Sequence, residues 1–191
     1  SPLLQLPHFD RALAKKASAA GVESIFDLMD MEDDERDKLL QMSPAQLGDV
    51  ARVANAYPNV DVSHEIEDAD EIASGETVTV HVQLARETDE EEAPVPRAHA
   101  PRFPKPKEEG WWLVIGDPKA NALVCIKRIT LQLRAKVKLD FVAPEPGEYD
   151  YMLYLICDSY LGCDQEYELK LRVGEAVEDS GEEGEDDEED E

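Results

Sequence analysis

Apolar positions in residues 1–59 recur at helical spacing. Asp10 is placed to cap a helix running to about Ala20, with Gly21 as its stop. Val22, Ile25, Phe26 and Met29 repeat as one face of a second helix. The acids Glu32, Asp33, Asp34 and Glu35 open a third, since carboxylates favour a helix N-terminus, and Leu39, Leu40 and Met42 close it. Ser43-Pro44 starts a fourth, with Ser as cap and Pro in the first turn. Its inner face reads as Leu47, Val50, Ala51 and Ala54, and Tyr57-Pro58-Asn59 ends it. A helical unit of about 60 residues is marginal alone and is expected to lean on its neighbour.

From Val60 the period switches from helical to alternating. Val60, Val62, His64 and Ile66 alternate, as do Val78, Val80, Val82 and Leu84. Further strands are expected over residues 111–115, 122–126, 134–142, 148–157 and 165–173, with turn signals at Ser74-Gly75, Gly116-Asp117-Pro118 and Pro144 to Gly147. Seven short strands in about 110 residues predict an immunoglobulin-like or fibronectin-like sandwich. Gly147-Glu148-Tyr149 matches the tyrosine corner of such folds. The expected fold class is therefore α+β and multidomain: a small all-α bundle over 1–59, then an all-β sandwich over 60–173.

Two segments break the pattern. Residues 87–110 carry an acidic run and then Pro94, Pro96, Pro101, Pro104 and Pro106 among Arg97, Arg102, Lys105 and Lys107; spaced prolines predict extended backbone without hydrogen bonds. Residues 174–191 hold 12 acids and no Lys or Arg, a run of like charges expected to be disordered.

Charge narrows the function classes. The net charge is −26, and about −14 remains once the tail is set aside, which disfavours non-specific binding to a polyanion. No apolar run reaches the roughly 18 residues that span a bilayer, so no membrane partner is expected. Cys125, Cys157 and Cys163 have no CxxC spacing and no nearby His ligands; they read as free thiols in a reducing compartment, not as a zinc site. His8, His64, His81 and His99 form no metal-like pair. No phosphate-cradling loop, nucleophile elbow or HExxH is present, and the carboxylates stand in solvated charge runs. No catalytic residue, cofactor, metal or small-molecule substrate is expected for this chain, which starts at Ser1 and reads as a piece of a longer protein.

The candidate sites are therefore partner-binding. In Trp111-Trp112, adjacent strand residues face opposite ways, so one fills the core and the other packs on the helical bundle or anchors a partner. Lys127, Arg128, Arg134, Lys136 and Lys138 form one basic strip, either a solvated strand edge or a dock for acidic protein or RNA backbone. The connection from Asp158 to Tyr167 is a plain hairpin or, through Tyr160 and Leu161, a recognition surface.

Leu6-Pro7-His8-Phe9, Gly21 to Asp27, Tyr57-Pro58-Asn59, Glu109 to Asp117, Lys136 to Phe141 and Asp158 to Tyr167 follow one another in the order seen in Sec-sixty-three homology units. Over about residues 1–173 the chain resembles the C-terminal end of such a unit in the spliceosomal DExH-box RNA helicases. The resemblance implies a helix-loop-helix followed by an immunoglobulin-like domain, in the second, inactive cassette of a nuclear helicase whose ATP and Mg are bound elsewhere. It implies spliceosomal proteins and the rest of the helicase chain as partners. The helix-loop-helix of active family members touches the translocating strand, but the acidic stretch from Asp30 to Asp37 argues for weak RNA contact here. Two other roles remain open: a direct RNA-contacting module of an active helicase, and a translocon-associated accessory unit.

Overall fold

A computed structural model describes residues 1–88 and 94–176. The chain opens with a 3-10 turn at Pro2–Gln5, which has no counterpart among the expected elements. Four α-helices follow among the described residues: α1 (Arg11–Ala19), α2 (Ile25–Asp30), α3 (Asp33–Leu40) and α4 (Pro44–Ala56). Three of the four starts carry a side-chain cap. The Asp10 carboxylate accepts from Leu13 N at 2.8 Å. Capping boxes join Ser24 to Asp27 and Ser43 to Gln46.

The buried faces differ from the periodic reading at two places. The helix α2 begins only at Ile25, so Val22 precedes it; Ile25 and Leu28 face inward while Met29 is exposed. In α4 the inner residues are Val50, Val53 and Ala54, and Ala51 faces solvent. Both shifts are about one residue of helical phase, which the docking partner sets and local spacing does not.

The described residues then form seven strands: β1 (Val60–Ile66), β2 (Thr77–Arg86), β3 (Trp111–Asp117), β4 (Ala122–Ile129), β5 (Arg134–Val142), β6 (Gly147–Cys157) and β7 (Gln165–Val173). They form two antiparallel sheets, ordered β1-β2-β5 and β4-β3-β6-β7. The fourth strand sits beside the third, so the three-stranded sheet keeps strands one, two and five. Alternation packs Val80, Leu139, Trp111, Leu113, Ile115, Leu153 and Leu155 between the sheets, each essentially without exposure. One extra residue on β4 shifts the register between Ile115 and Gly116. The Tyr149 hydroxyl donates to Glu145 O at 2.8 Å, which closes the expected tyrosine corner.

Both irregular segments are more tied down where they are described. Ala98 N donates to Lys107 O at 2.9 Å and His99 N to the Tyr160 hydroxyl at 3.0 Å, so the Pro-rich segment is anchored and not free of hydrogen bonds. Gly174 still belongs to the fold: its N donates to Ile72 O, and Ser74 N donates to Gly174 O. The acidic run at 89–92 and the tail from 177 lie outside the described residues. Leu113→Ala, in the centre of the sandwich, is expected to cost about 2–5 kcal/mol in urea unfolding.

Candidate docking surfaces

Three surfaces grow out of this framework, and the first is internal. Tyr57, at the end of α4, packs edge-on to Phe26 of α2 and to Tyr160 in the β6–β7 connection, with ring centroids 5.3 and 5.4 Å away. Its hydroxyl donates to Leu161 O at 2.6 Å. Burial holds that phenol above its ordinary value, so it remains a donor. The Gln5 side chain then brackets Leu161, accepting from its N at 2.7 Å and donating to its O at 2.9 Å. Gly162 (φ 90°) carries the chain through the left-handed region, where a Cβ would meet Pro2 at 3.0 Å and the Tyr57 hydroxyl at 3.1 Å. The expected recognition loop is thus split. Tyr160 is buried in this joint, whereas the Leu161 side chain is 67% exposed.

The second surface is the outer face of the four-stranded sheet. Trp111 is fully buried, and its indole N–H donates to Glu109 at 2.6 Å. Glu109 also pairs with Arg86, their side chains only 4% and 7% exposed. The adjacency of Glu109 to the tryptophans was visible in the sequence, but Arg86 lies 23 residues away and no local signal joins it. Trp112 faces outward, where the Arg128 guanidinium lies 4.9 Å from its ring centroid. This cover comes from β4, because Trp112 and Arg128 are register partners. Beside them stand half-buried Val114, Met152, Tyr154 and Ile156, and the exposed Leu123 (61%) and Ile126 (50%).

Arg128 is steered by Asp158. Burial opposes that carboxylate's charge, but Ser159, Arg128, Lys107 and the Gly110 N–H together hold it well below the usual carboxylate range. Sequence reading placed Arg128 in a free basic strip; the fold uses it to pair Asp158.

The third surface is the outer face of the three-stranded sheet. Arg134, Lys136 and Lys138 project along its edge strand β5, opposite Ala85, Gln83 and His81. Lys127, from the edge of the other sheet, donates to Lys138 O at 3.2 Å. Arg134 and Lys136 form one wall of a cleft of about 910 Å³, with Phe26, Asp61, Ser63 and Gln83 on its other sides. The three cysteines are free, and Cys157 and Cys163 are buried. Among the described residues no cluster of three metal-binding side chains occurs.

Short helices, then a seven-stranded sandwich, locked through the β6–β7 connection, form the architecture implied for the end of a Sec-sixty-three homology unit. The family profile described as the Sec63 Brl domain matches residues 9–170, and the chain belongs to that family. It is 55% identical over 92% of its length to the U5 small nuclear ribonucleoprotein 200 kDa helicase of Drosophila melanogaster, and 54% identical over 94% to the human protein of that name. The pre-mRNA-splicing factor brr2 of Schizosaccharomyces pombe is 40% identical over 97%. The chain spans about 8% of the length of each. A solved glycosyl hydrolase family 2 member from Bacteroides cellulosilyticus matches with a TM-score of 0.35 at 15% identity, over 60% of this chain and 14% of that one, too loose to bear on function.

Two substitutions test the geometry. Tyr57→Phe is expected to cost about 1 kcal/mol, the net worth of one hydrogen bond, and Gly162→Ala about 1–3 kcal/mol, both read by urea unfolding. Asp158 has a depressed folded-state pKa, so its contribution to stability is complete above about pH 4, the ordinary Asp value, and is lost as pH falls toward the depressed one. Asp158→Asn is expected to lower the melting temperature at pH 7 and to flatten its fall between about pH 4 and pH 2.

Proposed function

We propose that the chain is a non-catalytic accessory and protein-docking unit at the C-terminal end of a spliceosomal, ATP-dependent RNA helicase. The parent unwinds small nuclear RNA duplexes during pre-mRNA splicing in the nucleus. ATP and Mg belong to its motor domains. The names and identity levels of the relatives support the helicase and splicing assignment.

One observation carries the docking role: the apolar outer face around Trp112, Leu123 and Ile126, on a chain with a net charge of −26. Such a patch fits a protein partner with an apolar contact face. The acidic surroundings disfavour RNA, and the occupant proposed is a segment of a splicing factor. The purified chain is expected to hydrolyse no ATP and to bind RNA only weakly at physiological salt. Ile126→Glu is expected to reduce recovery of splicing factors with the intact helicase by at least about tenfold without shifting the melting temperature. Nanomolar, salt-dependent RNA binding by the purified chain would overturn the docking-only reading.

A second reading, RNA contact, is favoured by the row Arg134, Lys136 and Lys138. Under it, Lys136→Glu with Lys138→Glu slows unwinding by the parent helicase; unchanged unwinding counts against it.

A further inference from the structure

The strand β1 is an edge of its sheet, with β2 as its neighbour on one side. Glu87 N donates to Asn59 O and Glu67 N to Thr79 O, both at 2.9 Å, so the odd-numbered residues of this register turn their backbone toward β2. Val60, Val62 and His64 therefore direct theirs outward, off the sheet. The Val60 carbonyl is taken by the Gln165 side chain, which donates at 2.7 Å. The backbone N–H and C=O groups of Val62 and His64 find no hydrogen-bond partner among the described residues. The facing edge, β7, does not pair with them: only side chains cross the gap, Gln165 to Val60 O and the His64 ring to Glu168 O at 3.2 Å. Val62 also lines the cleft of about 910 Å³, where Phe26 and Tyr167 supply aromatic walls.

Charge selects the occupant of this open edge. Asp61 and Glu65 project from β1 on either side of Ser63, and the exposed Asp164 and Glu166 stand across the gap. Arg134 and Lys136 lie two strands away, beyond β2. A chain laid beside β1 therefore meets carboxylates first. They repel phosphate groups, and a phosphodiester link has no N–H to offer the Val62 and His64 carbonyls. They also oppose a second copy of the same edge, which would set like charges side by side.

We propose that the β1 edge at Val62 and His64 takes an extended segment of another protein as an added strand. That segment carries Lys or Arg at alternate positions, beside Asp61 and Glu65, with apolar residues between them. Main-chain hydrogen bonds supply the affinity, and the alternation of basic and apolar residues fixes which face meets the carboxylates. The site is on the opposite sheet from the apolar face around Trp112 and does not depend on the docking role proposed there.

The test uses the 191-residue chain at physiological salt and, as probe, a fluorescent peptide that alternates lysine and valine. N-methylating the amides along one edge of the peptide, either the valines or the lysines, is expected to weaken binding at least about tenfold, and methylating the other set to leave it unchanged. Asp61→Lys with Glu65→Lys, both at exposed positions, is expected to weaken binding by a similar factor without shifting the melting temperature. Bound peptide is also expected to protect the Val62 and His64 amides from hydrogen exchange. Binding that ignores methylation of both edges, or suffers equally from either, overturns the proposal, because it marks general attraction of a basic peptide to an acidic chain. Exchange at Val62 and His64 that is unchanged by saturating peptide overturns it as well. So does oligouridylate that displaces the peptide at equal concentration, which assigns the edge to RNA.

Discussion

Tyr57 stands where a helical segment too small to be robust alone meets a sandwich that is not. Its ring is wedged between Phe26 and Tyr160, and its buried hydroxyl is committed to the Leu161 carbonyl. Because the donor is held neutral by burial, the bond persists across the working pH range. Gln5 doubles the connection from the chain's first turn, so residues from both ends of the helical segment converge on one loop. The hydrophobic core is correspondingly continuous, from Leu3 through Val53 to Leu155. What would be two weakly coupled parts becomes one block whose outer faces hold fixed relative positions.

Charge is arranged around the same block. The β6–β7 connection that supplies Tyr160 and Leu161 also supplies Asp158, which gathers Lys107 and Arg128. Arg128 in turn covers Trp112. Cations near the joint are consumed in building the structure, while those along β5 are left facing solvent. That division gives the two sheets different characters: one outer face apolar, the other lined by a cationic edge.

The sequence carried a large part of this in legible form. Capping residues located α1 and α4 because a cap is a local hydrogen bond among residues three apart, whereas α2 was read from its apolar period and its Ser24 cap was missed. Alternation located β1, β2 and β5, and short apolar runs between turn signals located the other strands. Tyr149 was legible as a corner for the same reason, its acceptor lying four residues away. Readings failed where the partner was distant. Ala51 and Met29 were placed inward on a helical face whose true phase depends on which neighbour it meets. Tyr160 looked like a surface residue because His99 and Tyr57, its partners, lie 61 and 103 positions away. Arg128 looked free because Asp158, 30 positions on, was read only as a loop polar residue.

Local chemistry therefore determined the elements, the sandwich class, the acidic character and the resemblance to the family, all of which depend on residue type and short-range period. Only the tertiary structure decided which charges are spent and which remain, which Trp is covered and by what, and how the helices are held. Those outcomes depend on long-range approach, where burial removes water and a single partner far along the chain sets whether a polar group is satisfied, hidden or available.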